Sequence, residues 1–349
     1  MDNPMNASST SSVAKSTGRI SWPEAPSLKQ CFSLPDSIMY YMAMNPSTSE
    51  VYNKLIQSCK YFFESNPILV ARFIEEKCIC NREGCAGGRK KRCCVKIKIN
   101  KIKSKLWITQ ELNLDGFFRG KPVPNFIPLL TSKLFRCEIK ALVIRDHNIL
   151  FDDYKYLSLN AKGVLLQNVK MTHTDGKDVM LEEMLECVPS IEHFSYYFNK
   201  QYFPATAASF KNILQLKNLG NLKDFSLHEI PQVFHVADLS RFIEEYKDTK
   251  ICIEFEYGVT EEYIDEFNVL MDTILESNVH NRMIVYDGYE EEKMILLESR
   301  YKRYDNKSDV EDSSDEEMEF ESDTEDGDSE MDEYSDEFNC LDVPDLGGF

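Results

Sequence analysis

The sequence predicts an α/β chain: a small N-terminal helical module, then an irregular α/β solenoid of stacked repeats, flanked by a disordered arm and a disordered acidic tail. Three observations carry this. Two short amphipathic segments between Cys31 and Phe73 have helix start and stop signals at both ends. Further on, Val188-Pro189-Ser190-Ile191-Glu192-His193-Phe194-Ser195-Tyr196 and Leu219-Gly220-Asn221-Leu222-Lys223-Asp224-Phe225-Ser226-Leu227 share one frame, with Phe194 and Phe225 31 residues apart. Charge, finally, is segregated. The 349 residues hold 40 Lys plus Arg against 59 Asp plus Glu, a net −19, yet residues 305–349 alone carry twenty carboxylates and one base, Lys307. The rest holds 39 bases and 39 acids and is neutral.

Residues 1–27 are rich in Ser, Thr, Asn and Pro and too poor in apolar periodicity to offset the entropy of ordering them, so they read as a disordered arm. The helical module spans 28–75. Ser33 with Asp36 reads as a capping box, Pro35 suits a first turn, and Leu34, Ile38, Met39 and Met42 recur at helical spacing before Asn45-Pro46. Ser47 with Glu50 reads as a second box. It opens a longer helix through Val51, Tyr52, Leu55, Ile56, Cys59, Phe62 and Phe63 that ends at Asn66-Pro67. Ile68–Ile74 suggests a further short helix. Residues 76–135 form a linking segment. It holds Cys78, Cys80, Cys85, Cys93 and Cys94 around a Gly-rich turn, an alternating strand at Val95, Ile97 and Ile99, a partner strand at Leu106–Thr109, and a loop marked by Pro122, Pro124 and Pro128.

In 136–304, strand-like runs centre on Leu159, Phe194, Phe225, Ile253 and Ile284. Helical segments precede the last four, at Met180–Cys187, Phe210–Leu216, Leu239–Tyr246 and Tyr263–Leu275. A helix and a short strand repeated every thirty or so residues cannot bury their apolar faces alone, so they stack. That is the logic of a leucine-rich-repeat-like solenoid with Phe in place of many Leu. The acidic tail, 305–349, cannot collapse on itself at neutral pH.

The module resembles an F-box. Ser33-Leu34-Pro35-Asp36-Ser37-Ile38 and the stretch Val51 to Phe63 are similar to that family's Leu-Pro start and its later helix with Cys, a base and an aromatic. Asn45-Pro46, Lys54–Phe63 and Asn66-Pro67 resemble, more narrowly, the nematode-expanded class of F-box proteins with degenerate leucine-rich repeats. The resemblance implies a substrate-recognition subunit of a Skp-cullin-F-box ubiquitin ligase. Its F-box binds a Skp adaptor and, through it, a cullin, while its repeats hold an unknown protein substrate. Leu34, Pro35, Ile38, Leu55, Ile56, Cys59 and Phe62 would then face the adaptor or support that face. Each is equally well read as core, since periodicity does not say which apolar stripe points outward.

Other chemistry is sparse. The Cys78–Cys94 cluster offers five thiols, but Cys-x-Cys is the wrong spacing for a common zinc knuckle, and thiols spread between strand and loop are the preferred reading. No cofactor and no metal are therefore expected. Nine bases in Arg89–Lys105 admit an import signal, a phosphate-binding strip, a docking site for the chain's own tail, or a solvated strand. Aromatics for base stacking are nearly absent there, so nucleic-acid recognition is not expected. No Gly-rich nucleotide loop, nucleophile elbow or His-Glu-x-x-His helix occurs, and an active site of its own is not expected. His193 and His228 read as satisfied repeat-strand residues.

Ser308, Ser313, Ser314, Ser322 and Ser329 each precede an acid by three residues, which makes them candidate sites for acidophilic kinases. No apolar run is long enough to span a membrane, and the expected location is cytoplasmic and/or nuclear. The alternative function is a non-enzymatic scaffold that binds basic proteins through the acidic tail. A third reading, a zinc-dependent nucleic-acid module, centres on residues 78–105.

Overall fold

A computed structural model describes residues 32–75, 78–81, 94–118, 121–122, 125–199, 201–277 and 279–311, with backbone alone for 117–118, 121–122 and 303–311. The expected arm, Cys85, Cys93, Ser313, Ser314, Ser322 and Ser329 lie outside these residues. The chain is mixed α/β and falls into two compact units that divide between Asn66 and Pro67.

The first unit is three helices, α1 (Asp36–Met44), α2 (Ser49–Ser58) and α3 (Lys60–Ser65). Pro35 precedes α1 as its N-cap, and its carbonyl accepts from the Ile38 and Met39 amides. No side chain caps this end, so the Ser33–Asp36 box does not form. Asn45 closes α1 through its backbone amide and Nδ2, both donated to the Tyr41 carbonyl, and Pro46 cannot extend the helix. The cap of α2 is Thr48, whose Oγ1 accepts from the Val51 amide at 3.2 Å, one residue later than the sequence suggests.

The expected single helix from Val51 to Phe63 is broken at Cys59. There the backbone is extended and the thiol accepts from the Tyr61 amide. The 3–4 spacing of Leu55, Cys59 and Phe62 continues across the break and gives no sign of it. Met39, Ala43, Cys59 and Phe62 form the core. Buried Asn66 ties the ends together: its Nδ2 donates to the Ala43 carbonyl, and its own carbonyl accepts from the Tyr52 hydroxyl.

The second unit starts with β1 (Ile68–Glu75), where the sequence suggests a helix. Its buried residues Ile68, Ala71 and Ile74 recur every three positions because a bulge falls between Ala71 and Phe73, and that spacing does not separate the strand from a helix. Then come β2 (Cys78–Cys80), β3 (Val95–Lys96), a 3₁₀ turn at Ile99–Lys101 and β4 (Lys105–Asp115). The expected pairing of the 95–99 and 106–109 runs is not made: β3 pairs with β2, and β4 pairs with β1. A short hairpin, β5 (Phe117–Phe118) with β6 (Lys121–Pro122), leads into α4 (Phe126–Lys133), so the proline-marked loop is shorter than expected. Pro128 is tolerated in α4 because it lies in the first turn, where the amide has no helical partner.

The remainder alternates strand and helix. In order follow β7 (Leu134–Cys137), β8 (Ala141–Arg145), β9 (Asn148–Leu150), α5 (Phe151–Ser158), β10 (Gly163–Gln167), β11 (Lys170–Thr172), α6 (Leu181–Glu186) and β12 (His193–Tyr197). The chain goes on through α7 (Ser209–Ile213), β13 (Asp224–Ile230), α8 (Val236–Glu245), β14 (Lys250–Phe255), α9 (Glu261–Glu276), β15 (Arg282–Val285) and α10 (Glu291–Glu311). The helices at 181–186, 209–213, 236–245 and 261–276 match the four expected segments. The strand expected at Leu159 is instead β10, four residues later, because 151–158 is helical.

The main sheet runs β15-β14-β13-β12-β10-β8-β4-β1-β2-β3, with β7 beside β4. Along the path from β1 to β15 every pairing is parallel, and from β8 onward each new strand of this sheet joins the same edge, whereas β2 and β3 add antiparallel beyond β1. Phe194 registers on Phe225, and Val164 on Phe194. Neighbouring helices pack side by side, α4 on α5 and then α6 through α10 in sequence, and line one face. Alternate residues such as Leu166, Tyr196, Leu227 and Ile253 point into that layer and meet Leu185, Phe210, Phe242 and Phe267 in one core.

Polar side chains stitch the repeats where helices end and carbonyls lack partners. Asn218 donates to the Leu185 and Val188 carbonyls, Thr249 to Leu222, and Asn281 to Lys247 and Thr249. Arg282, 1% exposed, caps the C-terminus of α8: its guanidinium donates to the carbonyls of Ile243, Tyr246, Thr249 and Asn281 and to Asn281 Oδ1. Gly116 is forced by a close approach, since a Cβ there would lie 1.8 Å from the Asp146 carbonyl oxygen.

Candidate functional site

Two surfaces stand out among the described residues. On the first unit, the N-terminal stretch and α1 leave Leu34 and Ile38 nearly half exposed, at 47% and 46%, and Tyr41 at 65%. Ile38 and Tyr41 are three apart on α1 and share a side of it. Among the residues singled out above, Leu34, Pro35 and Ile38 are exposed, Leu55 and Ile56 are half-buried against the core, and Cys59 and Phe62 are buried in it. Exposed Tyr40, Tyr41 and Val51 extend the apolar surface. Tyr41 stands at helical spacing from Leu34 and Ile38, so that spacing is the signal in the sequence that marks it.

Among the described residues of this unit five apolar side chains are buried, Met39, Ala43, Tyr52, Cys59 and Phe62, too few to draw in the rest. A patch of this kind, polar at its tyrosine hydroxyls and apolar elsewhere, suits a partner that supplies the missing cover.

On the second unit, the sheet face away from the helices presents a polar array. His193 Nδ1 meets Asp224 Oδ2, and His228 Nδ1 meets Glu254 Oε2 at 2.8 Å. Tyr197 stacks on the His228 ring with centroids 4.2 Å apart. Burial raises the Tyr197 hydroxyl above its ordinary value, so it stays a donor. Ser195 and Ser226 register between these pairs, and Arg145 donates to Gln167 Oε1 and Asn113 Oδ1. Both histidines thus have carboxylate partners, one strand over in each case. At the strand starts Glu192 bridges Lys162 and Lys223 at 2.6 and 2.8 Å; these ammonium groups, Lys162 first, hold its carboxyl below the usual range.

The remaining candidates are placed as follows. Cys78 and Cys80 lie on β2, and Cys94 immediately precedes β3. No group of three or more metal-ligating side chains occurs among the described residues. Burial pushes the Cys137 thiol up to about 12 and Cys187 to about 11, which keeps both protonated and poor as nucleophiles. His147 is held below its ordinary value by burial, and so neutral at physiological pH. Ser308 lies within α10. Lys96, Lys98, Lys101, Lys103 and Lys105 are each exposed. No described helix is long and apolar enough to cross a membrane.

Compared with known proteins, the chain matches no family model and has no significant match among curated sequences.

Proposed function

We propose that this chain is the substrate-recognition subunit of a Skp-cullin-F-box type ubiquitin ligase, with no active site of its own. Residues 32–66 act as an F-box that binds a Skp adaptor and, through it, a cullin, in the cytoplasm or nucleus. The strand–helix repeats act as a degenerate leucine-rich-repeat solenoid that holds a protein target. The observation that carries the reading is the exposed apolar surface of Leu34, Ile38 and Tyr41 on a helical unit with five buried apolar side chains among its described residues. Support also comes from strands laid down in chain order with helices on one side, the packing that stacked repeats adopt.

The test is co-purification of the full chain with a Skp adaptor, wild type against Leu34→Ala with Ile38→Ala. Both side chains are nearly half exposed, so the variant keeps its fold by circular dichroism. Loss of at least tenfold in adaptor recovery is expected. Equal recovery, or no recovery by wild type, removes the reading.

A further inference from the structure

We propose that residues 96–105 are a docking strip for the chain's own C-terminal segment, residues 312–349, held by opposite charge. The proposal is independent of the ligase reading.

The strip is built by alternation. Ile99 is buried, and Ile97 and Ile102 are half-buried. Lys133 Nζ donates to the Ile102 carbonyl at 2.6 Å and fixes the backbone. Between these anchors Lys96, Lys98, Lys101, Lys103 and Lys105 all remain exposed. No acid occurs from Cys94 to Gln110. The carboxylate beside the strip's end, Glu138, is already engaged: it accepts from Trp107 Nε1 at 2.8 Å and lies 3.7 Å from Arg136. None of the five lysines forms an ion pair among the described residues. Five unneutralised ammonium groups within ten residues make a local potential that a polyanion relieves.

The matching polyanion is in the same chain. Residues 312–349 hold seventeen carboxylates and no base. They follow α10, which packs on β15 at one edge of the sheet. From β15 to β4, where the strip ends, is six strand spacings, about 29 Å at ~4.8 Å each. Thirty-eight residues reach up to about 125 Å when extended, so the tether does not limit the contact. Tethering also supplies an effective concentration of about millimolar order, which an untethered anion must exceed.

Single-stranded nucleic acid fits the strip less well. Its bases need open aromatic faces, and of the aromatics beside the strip Trp107 is 0% exposed and covered by Arg136 at 4.7 Å, while Phe135 is half-buried and has Lys105 and Arg136 over its ring at 5.8 and 5.3 Å. Phosphate on Ser313, Ser314, Ser322 or Ser329 would add about −1.5 to −2 charges each and tighten the contact.

The test is zero-length carbodiimide cross-linking of the full chain, which joins carboxylates to lysine amines in contact, read by mass spectrometry. Cross-links from 312–349 should concentrate on Lys96–Lys105 when the Debye length is about 30 Å, and fall several-fold when salt shortens it to about 3 Å. Equal yield at both salts overturns the proposal. So do links spread evenly over other exposed lysines, such as Lys217 and Lys247, and links that join separate chains in an isotope-mixed sample.

A second measurement uses the variant with all five strip lysines changed to Gln. Its low-salt hydrodynamic radius should rise to the wild-type high-salt value, and an unchanged radius overturns the proposal. In a third, a single-stranded oligonucleotide should bind more tightly once the carboxylates of 312–349 are changed to amides. Equal binding would mean that the strip stands open, and the proposal fails.

Discussion

Replacing Arg282 separates capping from space filling. Its guanidinium donates to five oxygens, four of them backbone carbonyls around the end of α8, and is 1% exposed. A buried ion pair can be exchanged for apolar residues at little cost, because both charges leave together. Here the acceptors belong to the backbone and stay behind. Three of the four keep a second donor, Tyr246 the Thr249 amide, Thr249 the Asn281 Nδ2 and Asn281 the Ile251 amide, so the full loss falls on the Ile243 carbonyl, and a dry, unpaired carbonyl costs about 1–3 kcal/mol. Arg282→Met should therefore cost roughly 2–3 kcal/mol, most of it at the Ile243 carbonyl.

Arg282→Ala leaves a polar hollow that water can enter and bond, so it should cost no more than Met. A residue that only fills space gives the opposite order, with Met costing under about 1.5 kcal/mol and Ala about 2–5. Urea unfolding followed by far-UV circular dichroism reads both variants. In thermal melts the Met loss corresponds to roughly 4–12 °C for a unit of this size. Refutation would be Arg282→Met within about 1 kcal/mol of wild type, or clearly more stable than Arg282→Ala.

Further outcomes follow from other sites. Glu192, whose carboxyl is held low by Lys162 and Lys223, contributes stability that is present above the unfolded value of about 4.3 and lost as pH falls through its lower folded value. Glu192→Gln should thus cost up to about 1 kcal/mol at pH 7, since both lysines are partly exposed, and the gap should close in urea melts below about pH 4. Gly116→Ala must push the Asp146 carbonyl away, and a loss of about 1–3 kcal/mol is expected in the same melts. Cys137 and Cys187, pushed up to about 12 and 11, should resist iodoacetamide at pH 8 in the native chain and react after denaturation, which peptide mapping shows.

Repeats were the legible part of this fold. Phe194 and Phe225 share a frame in the sequence and share a register in the sheet, since a fixed interval between apolar anchors is what stacking demands. What periodicity does not carry was missed. Ile68–Ile74 has the spacing of a helix because the bulge in β1 sets its buried residues three apart, and Leu159 lies at a helix end four residues before its strand. The Cys59 break falls between residues whose spacing is unaltered by it.

Of the two surfaces, Leu34 and Ile38 were visible as apolar positions, but their exposure was not. The carboxylate partners of His193 and His228 lie 31 and 26 residues away, and only the sheet register brings them together.

The order of strands also has a consequence for synthesis. From β8 onward each main-sheet strand finds its parallel partner in chain already made, so the sheet can grow behind the ribosome without waiting for a distant segment. One group must wait. The Ile243 carbonyl at the end of α8 finds its donor only when Arg282 emerges, so a nascent chain stalled before that residue holds an unfinished, protease-sensitive edge.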